Sequence, residues 1–162
     1  MFRRQTSDTL YGLSFREFLD IEGILNYNPV PLEDLLRFHV KMAMEIVGKV
    51  KVAPFFEKYL CYGYYPFYRE NVDDFLMHAL CPTVDKGNER ETFFLSQLRV
   101  RHDACYPPKG DFLIDDKFLF EVGGKGKSFD QIAEVPDSYL AVDDTEVGHG
   151  NRIPLWLFGF LY

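Results

Sequence analysis

Two short apolar segments on either side of an acidic turn constrain the fold of this chain more than any other feature. Residues 111–114 read DFLI, residues 118–122 read FLFEV, and residues 115–117 (DDK) separate them. Aromatic and β-branched residues favour strands, and acidic residues favour a tight turn. The pattern predicts an antiparallel hairpin with a three-residue loop, in which the paired residues are Ile114 with Phe118, Leu113 with Leu119, Phe112 with Phe120, and Asp111 with Glu121.

Two carboxylates, Asp111 and Glu121, face each other in this predicted hairpin. Opposed carboxylates in neighbouring strands repel by roughly 0.2–1 kcal/mol unless a proton or a cation lies between them. Mg²⁺ and Mn²⁺ bind carboxylate oxygens, so the pair predicts a divalent metal site. The residues leave an alternative open, in which the register shifts by one residue or both groups are solvated at the end of the sheet.

The sequence before the hairpin is predicted to be helical. Apolar residues at helical spacing predict helices over residues 14–20, 31–48 and 53–63. A fourth helix is predicted over residues 88–98, with Asn88 as its N-cap and Glu91 as the second member of a capping box.

Strands dominate from residue 102 onward. Segments bounded by Pro, Gly and acidic residues predict strands at residues 102–107 and 138–144 in addition to the hairpin. A further helix is predicted over residues 128–135, between the N-cap Ser128 and Pro136. The order of helix, three strands, helix and strand indicates an α/β (α+β) fold, in which a mixed sheet is flanked by helices and follows an N-terminal helical segment.

Composition indicates a globular chain. It has 162 residues, of which 47% are hydrophobic and 27% are charged. The start, MFRRQTSDTLYGLSF, lacks an apolar stretch of signal-peptide length, and the run IPLWLFGFLY is too short to span a bilayer. Cys61, Cys81 and Cys105 are odd in number and lack zinc-ribbon spacing. We therefore expect a cytoplasmic protein with no membrane partner and with reduced thiols.

The glycine-lysine segment GGKGKS at residues 123–128 raises the question of phosphate binding. A strand followed by Gly126, Lys127 and Ser128 resembles the end of a P-loop, but that motif needs a glycine where Glu121 stands. A carboxylate there would repel phosphate, so a P-loop is not predicted. The net charge of −7 disfavours a surface that binds nucleic acid throughout, and it leaves room for a local basic site.

Several stretches, which together touch most of the chain, carry a resemblance to a known family: GLSFREFL, FFEKYLCYGYYPFY, LMHAL, RETFFLSQL, GDFLIDDKFLFEVGGKGKSFDQI, YLAVDD and IPLWLFGFLY. In these stretches the chain resembles a prokaryotic AAA+ ATPase family, common in anaerobic gut bacteria. Its members join an ATPase module to a C-terminal domain of unknown function that is related to PD-(D/E)XK restriction-endonuclease-like folds.

The resemblance implies two domains. Residues 1–75 would be a helical segment resembling the end of the ATPase module, and residues 76–162 would be the nuclease-like domain with its small mixed sheet. It also implies a truncated relative that lacks the Walker A and Walker B elements, and in which only RENVDDF separates GYYPFY from LMHAL. ATP is therefore expected as a cofactor only for full-length family members.

The resemblance also implies a set of site residues. The nuclease-like fold has an acidic residue on its first helix, an aspartate opening the second strand and a (D/E)-x-K motif on the third, which correspond to Glu91, Asp111 and Glu121. Gly123 stands in the lysine's place, and Lys125 lies on the same face about 6–7 Å further along an extended strand. The implied catalytic residues are Glu91, Asp111, Glu121 and Lys125, with Asp111 and Glu121 as ligands for Mg or Mn. The capping box remains the other interpretation of Glu91.

Two functions follow as expectations. The first is a non-catalytic module that binds nucleic acid or a protein partner such as the missing ATPase module. The alternative is a weak metal-dependent nuclease, a phosphodiesterase that uses Asp111, Glu121 and Lys125. The displaced lysine favours the first, because in an active nuclease this lysine stabilises charge that develops in the transition state.

Overall fold

A computed structural model describes residues 11–64 and 85–162 and shows an α/β fold with an N-terminal helical part. The helices are α1 (Phe15–Ile21), α2 (Leu32–Val47), α3 (Val52–Lys58), which continues into a π-helical turn (Tyr59–Gly63), and α4 (Lys86–Leu98). The strands are β1 (Ala104–Cys105), β2 (Phe112–Ile114), β3 (Phe118–Gly123), β4 (Ser138–Val142) and β5 (Arg152–Pro154), and a 3₁₀ helix (Leu155–Phe160) follows them.

The first helix begins where its sequence predicts. The Ser14 hydroxyl accepts a hydrogen bond from the Glu17 backbone at 3.2 Å, and the Glu17 carboxylate accepts one from the Ser14 backbone at 2.9 Å. This reciprocal capping box satisfies two backbone donors that the helix itself leaves unpaired. The predicted helix at residues 14–20 is therefore confirmed, with its cap.

The five strands form one mixed sheet in the order β1-β2-β3-β4-β5. Neighbours from β1 to β3 are antiparallel, and β3, β4 and β5 are parallel to one another. The predicted hairpin register is confirmed for three pairs, Phe112 with Phe120, Leu113 with Leu119, and Ile114 with Phe118. The fourth predicted pair, Asp111 with Glu121, is not formed. The Asp111 N–H donates to the carbonyl of Phe120 and not to that of Glu121.

A single hydrophobic cluster joins the helices to the sheet. The Phe15 ring of α1 contacts Phe160 of the 3₁₀ helix at 6.1 Å between centroids, and Phe94 of α4 lies 5.0 Å from Phe120 of β3. Trp156 of the 3₁₀ helix is buried there as well. The domain boundary predicted at residues 75–76 lies outside the described residues, and the described parts of both predicted domains share this core.

Two predicted helical features are wrong. Helix α4 begins at Lys86 with Asp85 as its N-cap, so Asn88 lies inside the helix and Glu91 is not part of a capping box. Residues 128–135 form turns rather than a helix. The Ser128 hydroxyl bonds the Asp130 N–H two residues on, a local turn that competes with helix formation.

The cysteine prediction also needs correction. Cys61 is disulfide-bonded, whereas Cys105 is free and exposed. Cys81 lies outside the described residues. Within the described residues, no helix is both long and apolar enough to cross a membrane, and the cytoplasmic location stays a prediction.

Candidate active site

Asp111 and Lys127 interact electrostatically with both Glu91 and Glu121 near the carboxyl ends of β3 and β4, where ligands commonly bind to parallel strands. They come from different elements: Glu91 from α4, Asp111 from the residue before β2, Glu121 from β3, and Lys127 from the segment that connects β3 to β4. The structure thus brings together three of the four residues predicted for the site and adds a different lysine.

Asp111 is held by the strand beside it. One carboxylate oxygen, Oδ2, accepts a hydrogen bond of 2.7 Å from the Val122 N–H, and the same oxygen lies 3.7 Å from the Lys127 ammonium. The Asp111 N–H donates to the Phe120 carbonyl at 2.8 Å. These contacts fix the carboxylate at the end of β3, although it does not pair directly with Glu121.

Glu121 is the buried member of the group. It is 1% exposed, and its Oε2 atom is buried without a hydrogen-bond partner among the residues that the structure describes. Burial raises the pKa of the Glu121 carboxyl, the charge of Lys127 opposes that rise, and Asp111 adds to it. A buried carboxylate oxygen without a partner costs free energy, which a cation or a proton would recover.

Glu91 belongs to the same electrostatic group. Its pKa is raised by burial first and by Asp111 second, whereas Lys127 lowers it. Because α4 starts at Lys86, the capping interpretation of Glu91 no longer applies.

The stem of Lys127 occupies the space that a side chain at position 123 would enter. A Cβ atom added to Gly123 would lie 2.8–2.9 Å from the Cβ, Cγ and Cδ atoms of Lys127, so the lysine stem packs directly over Gly123. The predicted Lys125 is exposed instead, and its carbonyl accepts a hydrogen bond of 3.1 Å from Arg152. Among the described residues, an ion pair joins Asp111 to Lys127, and no ion pair involves Lys125.

The conformation of the segment that follows β3 excludes a P-loop there. Residues 124–137, all of which the structure describes, contain no helix, so Ser128 does not open a helix N-terminus for phosphate. The Lys127 ammonium faces Asp111 instead.

Two carboxylates of this group have the donor chemistry that a divalent cation takes. Among the described residues, no group of three His, Cys, Asp or Glu side chains is arranged to hold a metal ion. Asp111 and Glu121 nevertheless supply two carboxylates, one of them with an unpartnered buried oxygen. Mg²⁺ commonly takes one or two protein carboxylates and completes its shell with water and substrate phosphate, so a third side chain is not required.

Comparisons of the chain with protein-family models, with curated proteins and with solved structures found no match to any of them.

Proposed function

We propose that this chain is a metal-dependent phosphodiesterase that cleaves nucleic acid, in which Asp111 and Glu121 hold Mg²⁺ or Mn²⁺ and Lys127 serves as the lysine of the site. The observation that carries the proposal is the position of Lys127. Its stem lies over Gly123, and its ammonium lies 3.7 Å from Asp111. The weakness of the nuclease interpretation in the sequence was the missing lysine, and this arrangement supplies one.

Each residue has a separate role in hydrolysis. A bound divalent cation would neutralise phosphate charge and lower the pKa of water. Lys127 places a positive charge where negative charge develops on the phosphate oxygens. Glu91, whose pKa is raised, is a carboxylate suited to accept the proton that the attacking water releases as one ester P–O bond breaks.

Local charge supports a phosphate substrate despite the net charge of −7. The segment after β3 brings Lys127 to the site, and Arg152 of β5 is tied to the same segment through its bond to the Lys125 carbonyl. Substrate attraction depends on the local potential around a site, so an acidic chain is compatible with an anionic substrate here.

The relation to the AAA+ ATPase family remains part of the proposal. We infer that residues 1–75 correspond to the end of the ATPase module of that family and residues 76–162 to its C-terminal domain, acting in the cytoplasm on nucleic acid alone or beside an ATPase module. A non-catalytic module is the second candidate, favoured by the ion pair between Lys127 and Asp111, which partly neutralises the carboxylates without a metal.

The test is nicking of supercoiled plasmid DNA with Mn²⁺, followed by gel electrophoresis. The wild-type chain should convert supercoiled DNA to the open circle only with the cation, and Asp111→Asn should stop the conversion. The matched control is Asp116→Asn in the exposed hairpin loop, where φ is 53° and asparagine is well tolerated. Intact plasmid with the wild-type protein, together with a Mn²⁺-induced rise in Tm, would support the non-catalytic module.

A further inference from the structure

We propose that Arg90 is a positioning residue that holds Lys127 in the site. The proposal rests on the proposed function, because Lys127 is the residue that it serves. Arg90 lies on α4 next to Glu91, and it contacts both strand ends that surround the site. Nothing in the site chemistry described above uses it.

One edge of the guanidinium is fixed to the end of β4. Arg90 Nε donates to Asp143 Oδ2 at 2.8 Å, and Nη2 lies 3.4 Å from Asp144 Oδ2. The Arg90 and Asp143 side chains are only 14% and 18% exposed. The Asp143 N–H in turn donates to the Gly123 carbonyl at 2.8 Å, which ties the pair to the end of β3.

The face of the guanidinium lies against the turn that carries Lys127. A Cβ on Gly124 would be 3.2–3.3 Å from the Nη1, Cζ and Nη2 atoms of Arg90. The Gly124 carbonyl accepts a hydrogen bond of 2.9 Å from the Lys127 N–H and closes the turn. The chain of contacts therefore runs from Arg90 through Gly124 to Lys127.

Arginine suits this position for physical reasons. Its planar group donates from its edge while its flat face packs on backbone, which a lysine ammonium cannot do. Glycine at 124 permits the close approach, since a Cβ there would be in tight contact with the guanidinium, and a branched side chain would displace it. Loss of the planar group should free the turn and let Lys127 leave Asp111.

The experiment measures how fast a limiting amine-reactive reagent acylates Lys127, relative to the exposed Lys109, by peptide mass spectrometry of the full chain. Arg90→Met should raise this ratio by about fivefold, about 1 kcal/mol at 25 °C, within the contribution of one charge-assisted hydrogen bond. Arg90→Lys should also raise it. Arg99→Met, on the exposed end of the same helix, is the matched control and should leave the ratio unchanged.

Labelling of a second lysine distinguishes positioning of Lys127 by Arg90 from a general loosening of the fold. Lys58 pairs with Glu22 at 2.8 Å, and its labelling reports on the helical part of the fold. An equal rise at Lys58 and Lys127 in Arg90→Met would overturn the proposal, because Arg90 would then only stabilise the fold. If Arg90→Met does not fold, Gly124→Val displaces the guanidinium from its other side, and an unchanged ratio in that variant would also overturn it.

The labelling result is independent of DNA cleavage. If the wild-type chain does not cut DNA, the proposed function fails, while the labelling ratio still decides whether Arg90 positions Lys127. If it does cut, Arg90→Met should lower kcat more than it raises KM, and the Mn²⁺-induced rise in Tm should persist, since Asp111 and Glu121 are unchanged.

Discussion

At the scale of single residues, the proposed function and the stability of the fold conflict at Glu121. Its carboxylate is buried with one oxygen unpartnered within residues 11–64 and 85–162, and burial raises its pKa above the ordinary value of 4.5. A residue kept in this state costs stability in the absence of a ligand, which is common at functional sites. The conflict can be measured directly.

We predict that Glu121→Gln stabilises the metal-free protein at pH 7 by about 1 kcal/mol, because it removes a buried charge. A raised pKa means that the folded state holds the proton more tightly than the unfolded chain does. The wild type therefore loses stability as the pH rises from 4.5 through the folded pKa, and the difference between the two proteins should vanish below pH 4.5. Urea unfolding with a chelator, from pH 4 to pH 8, measures it.

The exposed Glu134 provides the control, since Glu134→Gln should leave the free energy of unfolding nearly unchanged across this range. A drop in stability at pH 7 on Glu121→Gln would mean that the ionised carboxylate has a stabilising partner. The structural basis for a cation site at Glu121 would then be lost.

The sequence alone identified the carboxylates of the candidate site but not its lysine. Asp111 and Glu121 follow from strand alternation around a recognisable turn, and Glu91 follows from the resemblance. Lys127 does not, because its stem folds back over a residue four positions earlier, and only the course of the backbone reveals this. The one available signal was the glycine at 123, which leaves room for a side chain from elsewhere.

At the scale of elements, the parts with strong local signals were predictable. The hairpin and α1 carry their own turn and capping residues, and their predicted positions are confirmed. Helix α2 (Leu32–Val47) also matches its apolar stripe. These elements are determined by residues that are neighbours in the sequence, so they can be predicted from one sequence.

The elements that the sequence predicted wrongly or missed depend on tertiary contacts. The segment between β3 and β4 has a helical pattern, yet Ile132 is fully buried and its carbonyl accepts a bond of 2.8 Å from the Ser138 hydroxyl. These contacts hold a compact turn against the sheet and override helix propensity. Strand β5 was missed because it has only three residues and ends in Pro154.

At the scale of the whole molecule, the helical part and the sheet are joined closely. The Ser14 hydroxyl and the Arg16 guanidinium both donate to the Tyr162 carbonyl, at 3.0 and 2.7 Å. The Val30 N–H donates to the Phe160 carbonyl at 2.8 Å. These bonds and the shared core favour one cooperative unit over two separately stable domains.

We predict that Gly159→Ala destabilises both parts together by about 1–3 kcal/mol, because a Cβ there overlaps the Cβ of Phe15 in α1. Native-state hydrogen exchange should show amides of α2 and of β3 losing protection by the same amount. Gly126→Ala is the control, since a Cβ at that position meets nothing within 4 Å. Loss of protection in the helices alone would instead support the two domains that the resemblance implies.

The central claim, that Lys127 occupies the place of the motif lysine, is tested most directly by moving that lysine. Plasmid nicking rates with Mn²⁺ would be compared for the wild type, Lys127→Gly, the double variant Gly123→Lys/Lys127→Gly, and Lys125→Met. The glycine at 127 is needed because the Lys127 stem fills the space that a side chain at 123 would enter.

We expect Lys127→Gly to reduce the nicking rate by about 100-fold, the loss typical when one transition-state donor is removed. The double variant should recover much of that loss, since its lysine reaches the same carboxylates from β3, and Lys125→Met should cut at nearly the wild-type rate. Wild-type nicking by Lys127→Gly together with loss of nicking in Lys125→Met would contradict the account and assign the role to Lys125.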